Sequence, residues 1–216
     1  MAEISEIKAP WDLKGKGYIF IFKFKKGFSD ERFCVPDFLK GKYCGGFGSV
    51  MLVDYQESTA GPYQEFLFIP GKFKFENKKL DCITKIFVST EVSVQNGRKN
   101  WGIPKELANF KFEQKDKKNE KIEITIGDEK VAEFEIESHS FRFPVNTKLL
   151  PFPLVQQYED KYFYTNFFGK GKGRFAKVKN AYINKKYFPD FTAYKPIAVL
   201  KVEPFSITFP IAKTKS

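Results

Sequence analysis

The chain alternates between dense apolar runs and lysine-rich polar joints. Tyr18–Lys25 reads YIFIFKFK, Ser49–Tyr55 reads SVMLVDY, and Tyr63–Ile69 reads YQEFLFI. Short runs rich in Phe, Tyr, Val and Ile predict strands rather than helices. The turn-forming stretch Ser58–Pro62 joins the second run to the third. Leu80–Val94 continues as a long β-prone run, with a turn predicted at Asn96-Gly97. Lys111–Glu113, Lys121–Ile126 and Val131–Ile136 predict a meander jointed at Asp116–Asn119 and Gly127-Asp128. Further strands are predicted near Ser140–Phe143 and Phe175–Ile183, with Ala198–Phe209 as the last, bent at Pro204. Asp30–Lys40 carries a cap-like Ser29-Asp30 and a mid-run Pro36, which predicts two short helical turns. Gly169–Arg174, GKGKGR, predicts a flexible loop. The pattern is that of a mainly β, β-rich α+β chain with antiparallel sheet and a few short peripheral helices.

Composition narrows the function classes. With 216 residues, 42% hydrophobic and 18% aromatic, the chain is expected to build one core and one domain over residues 1–216, which excludes disorder. No apolar run is long enough to cross a bilayer, and Met1–Glu6 lacks an apolar signal core, so the expectation is a cytoplasmic protein without a membrane partner. Cys34, Cys44 and Cys82 are odd in number and lack paired ligand spacing; they read as small core hydrophobes, with no metal site. The single histidine, His139, reads as a strand residue without catalytic duty. The net charge of +11 invites a nucleic-acid reading. Arginine, however, occurs only at positions 32, 98, 142 and 174, and the lysines are scattered among Glu and Asp. Specific readers of bases and phosphates lean on arginine's planar fork, so no specific nucleic-acid partner is expected.

One segment resists a simple strand reading. Asn96–Ala108, NGRKNWGIPKELA, packs Gly, Trp and Pro closely, and Pro104 is suited to open a helical turn continued by Lys105–Ala108. A lysine there is held on a short turn that proline fixes. The segment resembles the Schiff-base lysine segment of acetoacetate decarboxylases, in which a Gly-Arg pair precedes a proline and the reactive lysine. Gly97-Arg98 and Pro104-Lys105 stand at matching positions. Gly61-Pro62-Tyr63-Gln64-Glu65 resembles the family's Gly-x-Tyr-x-Glu segment, whose glutamate lines the pocket, and Ala9–Tyr18 looks like the N-terminal segment of its smaller members. The similarity runs from about Pro10 to Phe209.

The resemblance implies a cone-like closed sheet or barrel with an internal site, a homo-oligomer, and no cofactor. It implies Lys105 and Glu65 as catalytic residues, Lys105 forming an imine with a small keto acid or related carbonyl compound. Decarboxylation, or a related aldolase or dehydratase step, would follow. Arg98, Trp101, Tyr63 and Glu106 are the candidate substrate-binding residues, with a structural role for Arg98 the stronger expectation, and Phe66 is a further candidate wall residue. The sequence departs from the family where a second lysine follows the reactive one, since Glu106 stands there. A second pocket glutamate of the family counts back to about Val50, and for a first-strand arginine the nearest basic residue is Lys16. These departures favour an alternative: a non-catalytic relative binding a small apolar or carbonyl ligand in the same cavity.

Overall fold

A computed structural model describes residues 5–24, 30–147 and 152–216. Two sheets account for most of it. In chain order the strands are β1 (Trp11–Phe22), β2 (Tyr43–Gly45), β3 (Gly48–Ser58), β4 (Tyr63–Ile69), β5 (Lys72–Phe75), β6 (Lys78–Asp81) and β7 (Lys85–Val88). Helix α1 (Glu91–Trp101) follows, then β8 (Lys105–Leu107), β9 (Asn109–Gln114), β10 (Asn119–Ile126), β11 (Glu129–Ser138) and β12 (Phe143–Asn146). The chain continues through β13 (Pro153–Tyr158), β14 (Lys161–Asn166), β15 (Phe168–Ile183), β16 (Ala198–Phe209) and β17 (Lys213–Lys215). Single 3-10 turns at Glu31–Phe33 and Asp37–Leu39 are the two short helical turns expected there.

The large sheet runs β8-β7-β4-β3-β1-β16-β15-β11-β10-β9, with β12 paired to β15; the small one runs β17-β14-β13-β6-β5-β2. Pairing is antiparallel except between β7 and β8 and between β6 and β13. The large sheet is not closed as the resemblance implied. Its edge strands β8 and β9 are joined through Ala108, whose N–H donates to the Val88 carbonyl at 3.0 Å, but no ladder pairs them.

The central strands bury both faces, which explains their unbroken apolar runs. Tyr18, Phe20, Val50, Leu52, Phe66 and Phe68 point into one core with Ile122 and Phe134. Leu13, Val53, Tyr63, Leu67 and Ile86 point into a second core, capped by Trp101 and Ile103 at the end of α1. Lys105 and Glu65 line a cavity walled by this second core. No helix of the described residues is long and apolar enough to cross a membrane.

Several expectations fail here. The β-prone run ends at Val88, and residues 91–101 form a helix, with Asn96-Gly97 inside it rather than at a turn. Thr90 caps it, its Oγ1 accepting from Ser93 N at 3.3 Å, and Gly102 ends it at φ 66°. Lys105–Leu107 is a strand, not a helical turn, because it pairs in parallel with Ile86–Val88. Gly169–Arg174 belongs to β15 and pairs with both β12 and β16. A Cβ on Gly171 would lie 2.8 Å from the Pro204 carbonyl oxygen, so alternate glycines let these strands approach. Ala198–Phe209 is also not the last strand, since β17 follows. Of the cysteines only Cys82 is buried, and His139 is exposed just beyond β11.

Candidate active site

Lys105 opens β8, and its side chain turns inward into the second core, where the residue is 3% exposed. Two residues of α1 fix it. Gly97 lies directly beneath the lysine chain: a Cβ there would sit 2.6 Å from Cδ and 2.8 Å from Cε. Arg98 wraps its guanidinium around the strand's first carbonyl, donating to Lys105 O from Nε at 3.0 Å and Nη2 at 2.5 Å. The helix therefore supplies a slot for the side chain and a fork for the backbone.

The amine meets two acceptors, Glu65 Oε1 at 2.7 Å and Ser93 Oγ at 2.9 Å. Glu65 comes from β4, where it stands opposite Val53 of β3 on one side and Val88 of β7 on the other. Its second oxygen accepts from the Tyr55 hydroxyl at 3.1 Å. Tyr63 stands beside the pair, its ring centroid 5.0 Å from the amine. Burial, reinforced by the Glu65 charge, pushes the phenols of Tyr55 and Tyr63 well above their ordinary range. Both therefore remain protonated donors across the neutral range.

Above this cluster opens a cavity of about 110 Å³. Lys105, Glu65, Tyr63 and Trp101 line it, together with Trp11, Tyr55, Met51, Val53, Leu67 and Ile86. Trp11 and Trp101 meet edge to face, 4.9 Å between centroids. Their indole N–H groups are turned away, to the carbonyls of Ile7 at 3.2 Å and Pro210 at 2.7 Å. Asn96 and Asn100 of α1 hold the N-terminal segment in place: Asn96 Oδ1 accepts from Ile7 N at 2.7 Å and Asn100 Nδ2 donates to Ile7 O at 2.8 Å. That segment delivers Trp11 to the wall.

Of the six candidates, four surround the cavity: Lys105, Glu65, Tyr63 and Trp101. Glu106 does not. Strand alternation points it outward, where it pairs with Lys85 at 2.5 Å and has no path to a ligand in the cavity. Arg98 also stays outside the cavity, in the structural role expected for it. Phe66 and Val50 face the other core, so the residues of β3 that reach the cavity are Met51, Val53 and Tyr55. Lys16 is engaged with the buried Glu120 at 2.6 Å. Sequence reasoning missed Ser93, Tyr55 and Trp11 as site residues. The register that sets Tyr55 opposite Tyr63 follows from the short β3–β4 hairpin, whereas Ser93 becomes visible only once α1 is recognised.

The sequence profile of the family described as acetoacetate decarboxylase (ADC) matches residues 32–166. The chain belongs to the acetoacetate decarboxylase family. Solved structures agree in fold. The acetoacetate decarboxylase of Legionella pneumophila subsp. pneumophila str. Philadelphia 1 aligns with a TM-score of 0.71 at 13% identity, covering 97% of this chain and 88% of its own. An acetoacetate decarboxylase-like enzyme from Sphingomonas wittichii RW1 aligns at 0.64 with 8% identity, covering 97% and 94%. The enduracididine biosynthesis enzyme MppR, solved in complex with pyruvate, aligns at 0.62 with 12% identity, covering 97% and 90%. No curated protein sequence matches significantly. This chain holds an amine and a carboxylate in contact at the base of an apolar cavity, and carries Glu106 on the outer surface.

Proposed function

We propose that the protein is an imine-forming enzyme that acts on a keto acid or related carbonyl compound through Lys105. The observation that carries this reading is the buried amine of Lys105, 2.7 Å from the Glu65 carboxylate at the base of an apolar cavity. An amine adds to a carbonyl only when neutral, and a lysine at its ordinary pKa of about 10.4 is neutral about once in 2,500 at pH 7. Glu65 stands within proton-transfer distance of the amine, and Ser93 holds it from a second side.

Addition of Nζ to the carbonyl carbon gives a carbinolamine, and loss of water gives the iminium. With a β-keto acid, the carbon–carboxylate bond breaks, its electron pair moves to the iminium nitrogen, and carbon dioxide leaves an enamine. Protonation at carbon and hydrolysis release the ketone and restore the amine. The same electron sink serves aldol or dehydration steps, so the imine defines the substrate's carbonyl more narrowly than the outcome. Tyr55 and Tyr63 orient Glu65 and the carbonyl oxygen as neutral donors. MppR, with its bound pyruvate, is a relative in fold whose ligand belongs to the same carbonyl class.

Borohydride reduction tests this. Incubation with acetoacetate, pyruvate or longer keto acids followed by reduction is expected to add the substrate's reduced mass to the peptide containing Lys105. Lys105→Arg abolishes the adduct, because a guanidinium does not form the imine. Absence of any adduct at Lys105 across the panel refutes the enzyme reading and leaves a small-molecule binder.

A further inference from the structure

We infer that the carbonyl substrate carries an apolar arm of several carbons, and that three- and four-carbon keto acids are poor ligands of this cavity. The inference rests on the imine reading for where the carbonyl sits, and on the walls for what surrounds it. The walls above Lys105 are hydrocarbon: Met51, Val53, Leu67, Ile86, Val202 and Ile207. Several polar groups of the remaining wall residues are already paired. Tyr18 donates to Glu120 at 2.8 Å, both indoles donate to carbonyls, and Thr147 Oγ1 accepts from Gly169 N at 2.8 Å.

None of the four arginines lines the cavity. Among the described residues its only cations are Lys105, taken up by Glu65 and Ser93, and Lys170, which is exposed on β15. The carboxylate of pyruvate or acetoacetate, one or two bonds from the carbonyl, therefore meets hydrocarbon and the like charge of Glu65. A carboxylate so placed loses its hydration without a partner. An apolar arm gains what the acid loses. At roughly 10–15 Å³ for each water-sized group, the cavity of about 110 Å³ holds about eight such groups, enough for a carbonyl and five or six carbons.

The chain's two tryptophans both line this cavity, so intrinsic fluorescence reads its occupancy directly, with or without an imine. The experiment compares pyruvate with 2-oxohexanoate and acetone with 2-hexanone, by fluorescence titration and by borohydride trapping at limiting concentration. Each methylene moved from water to the wall strengthens binding about fourfold. The longer member of each pair is expected to bind and label at least tenfold better. Met51→Arg, which places a cation in the wall, is expected to shift the preference toward pyruvate. Val53→Ala, which only enlarges the cavity, is expected to keep the preference for the long arm.

Equal or better binding and labelling by pyruvate overturns the inference while leaving the imine intact. A fluorescence preference for the long arm with no adduct from any compound leaves the apolar-arm inference standing and removes the imine. Absence of any fluorescence response to the long compounds overturns the inference as well.

Discussion

Gly97→Ala isolates the feature on which the site depends. In an exposed helix interior, alanine in place of glycine stabilises by about 1 kcal/mol. Here the new Cβ would stand 2.6 Å from Cδ and 2.8 Å from Cε of Lys105, closer than carbon atoms approach. Helix and strand are both fixed, the strand by Arg98 on the Lys105 carbonyl, so the lysine chain must move. Moving it breaks a buried ion pair whose side chains are 4% and 7% exposed. Breaking such a pair costs about 3–5 kcal/mol, because it leaves the carboxylate uncompensated. Less the helical gain, the net loss is about 2–4 kcal/mol. In a Lys105→Ala background the overlap disappears, and Gly97→Ala should then stabilise by about 1 kcal/mol. Denaturant melts of the four proteins give a coupling energy of about 3–5 kcal/mol. Borohydride capture at Lys105 should fall at least tenfold in the single variant. A Gly97→Ala protein as stable as the parent, with capture unchanged, would refute the slot.

Three further outcomes follow from neighbouring contacts. Arg98→Lys loses the two-pronged hold on the Lys105 carbonyl and should lower capture with a stability loss of about 1–3 kcal/mol. Glu106→Gln, which breaks only a surface pair with Lys85, should change stability by less than about 1 kcal/mol and leave capture unaltered. Ser93→Ala removes a hydrogen bond to a charged group and should cost about 1.5–3 kcal/mol in melts, with capture slowed rather than abolished. The fourth concerns acid. Burial alone would raise the Glu120 carboxyl, but Lys16, Lys201 and Tyr18 outweigh it and hold the group below its ordinary value. Its stabilisation is therefore complete above about pH 4–5 and lost as pH falls through the lowered value. Thermal melts between pH 6 and 3 should show a steeper decline for the parent than for Glu120→Gln.

Much of the β framework was legible because local pattern and tertiary outcome agree. Tyr63–Ile69 is a strand by composition and in fact, and the 109–138 meander carries its turns in Asp116–Asn119 and Gly127-Asp128. The helix was hidden because Val92 and Val94 are β-prone and Asn96-Gly97 imitates a hairpin turn. Its signals were nonetheless present: Thr90 before it, Glu91 in the first turn, Arg98 and Lys99 in the last, and Gly102 just past the end. The strand at Lys105 was not legible at all, since a three-residue parallel pairing with β7 is decided by tertiary contact. GKGKGR shows the reverse error. Glycine suggested mobility, yet its period of two marks a strand whose inner positions are too crowded for a side chain. For the site, the motif residues Lys105, Glu65 and Tyr63 could be read one by one, but the facing of Glu106 required knowing that residue 105 sits in a strand.

The arrangement of charge in the cavity bears on the order of events in the proposed reaction. Lys105 and Glu65 form an ion pair at its base, and among the described residues the one other charged side chain lining the cavity is Lys170, exposed on β15. Forming an iminium replaces one cation by another at the same nitrogen, so Glu65 keeps its counterion and nothing else has to move. Loss of carbon dioxide then turns the iminium into a neutral enamine and leaves the carboxylate alone in apolar surroundings, which is costly. The cost is relieved when a proton is delivered to the enamine carbon, which restores the iminium cation beside Glu65, and Tyr55 and Tyr63, both held protonated, soften it meanwhile. On this reasoning the tyrosines act after the bond breaks rather than before it. Tyr55→Phe should then leave imine capture near the parent level, and slow turnover of a compound that the parent turns over. Equal losses in capture and turnover would place the tyrosine's contribution at imine formation instead.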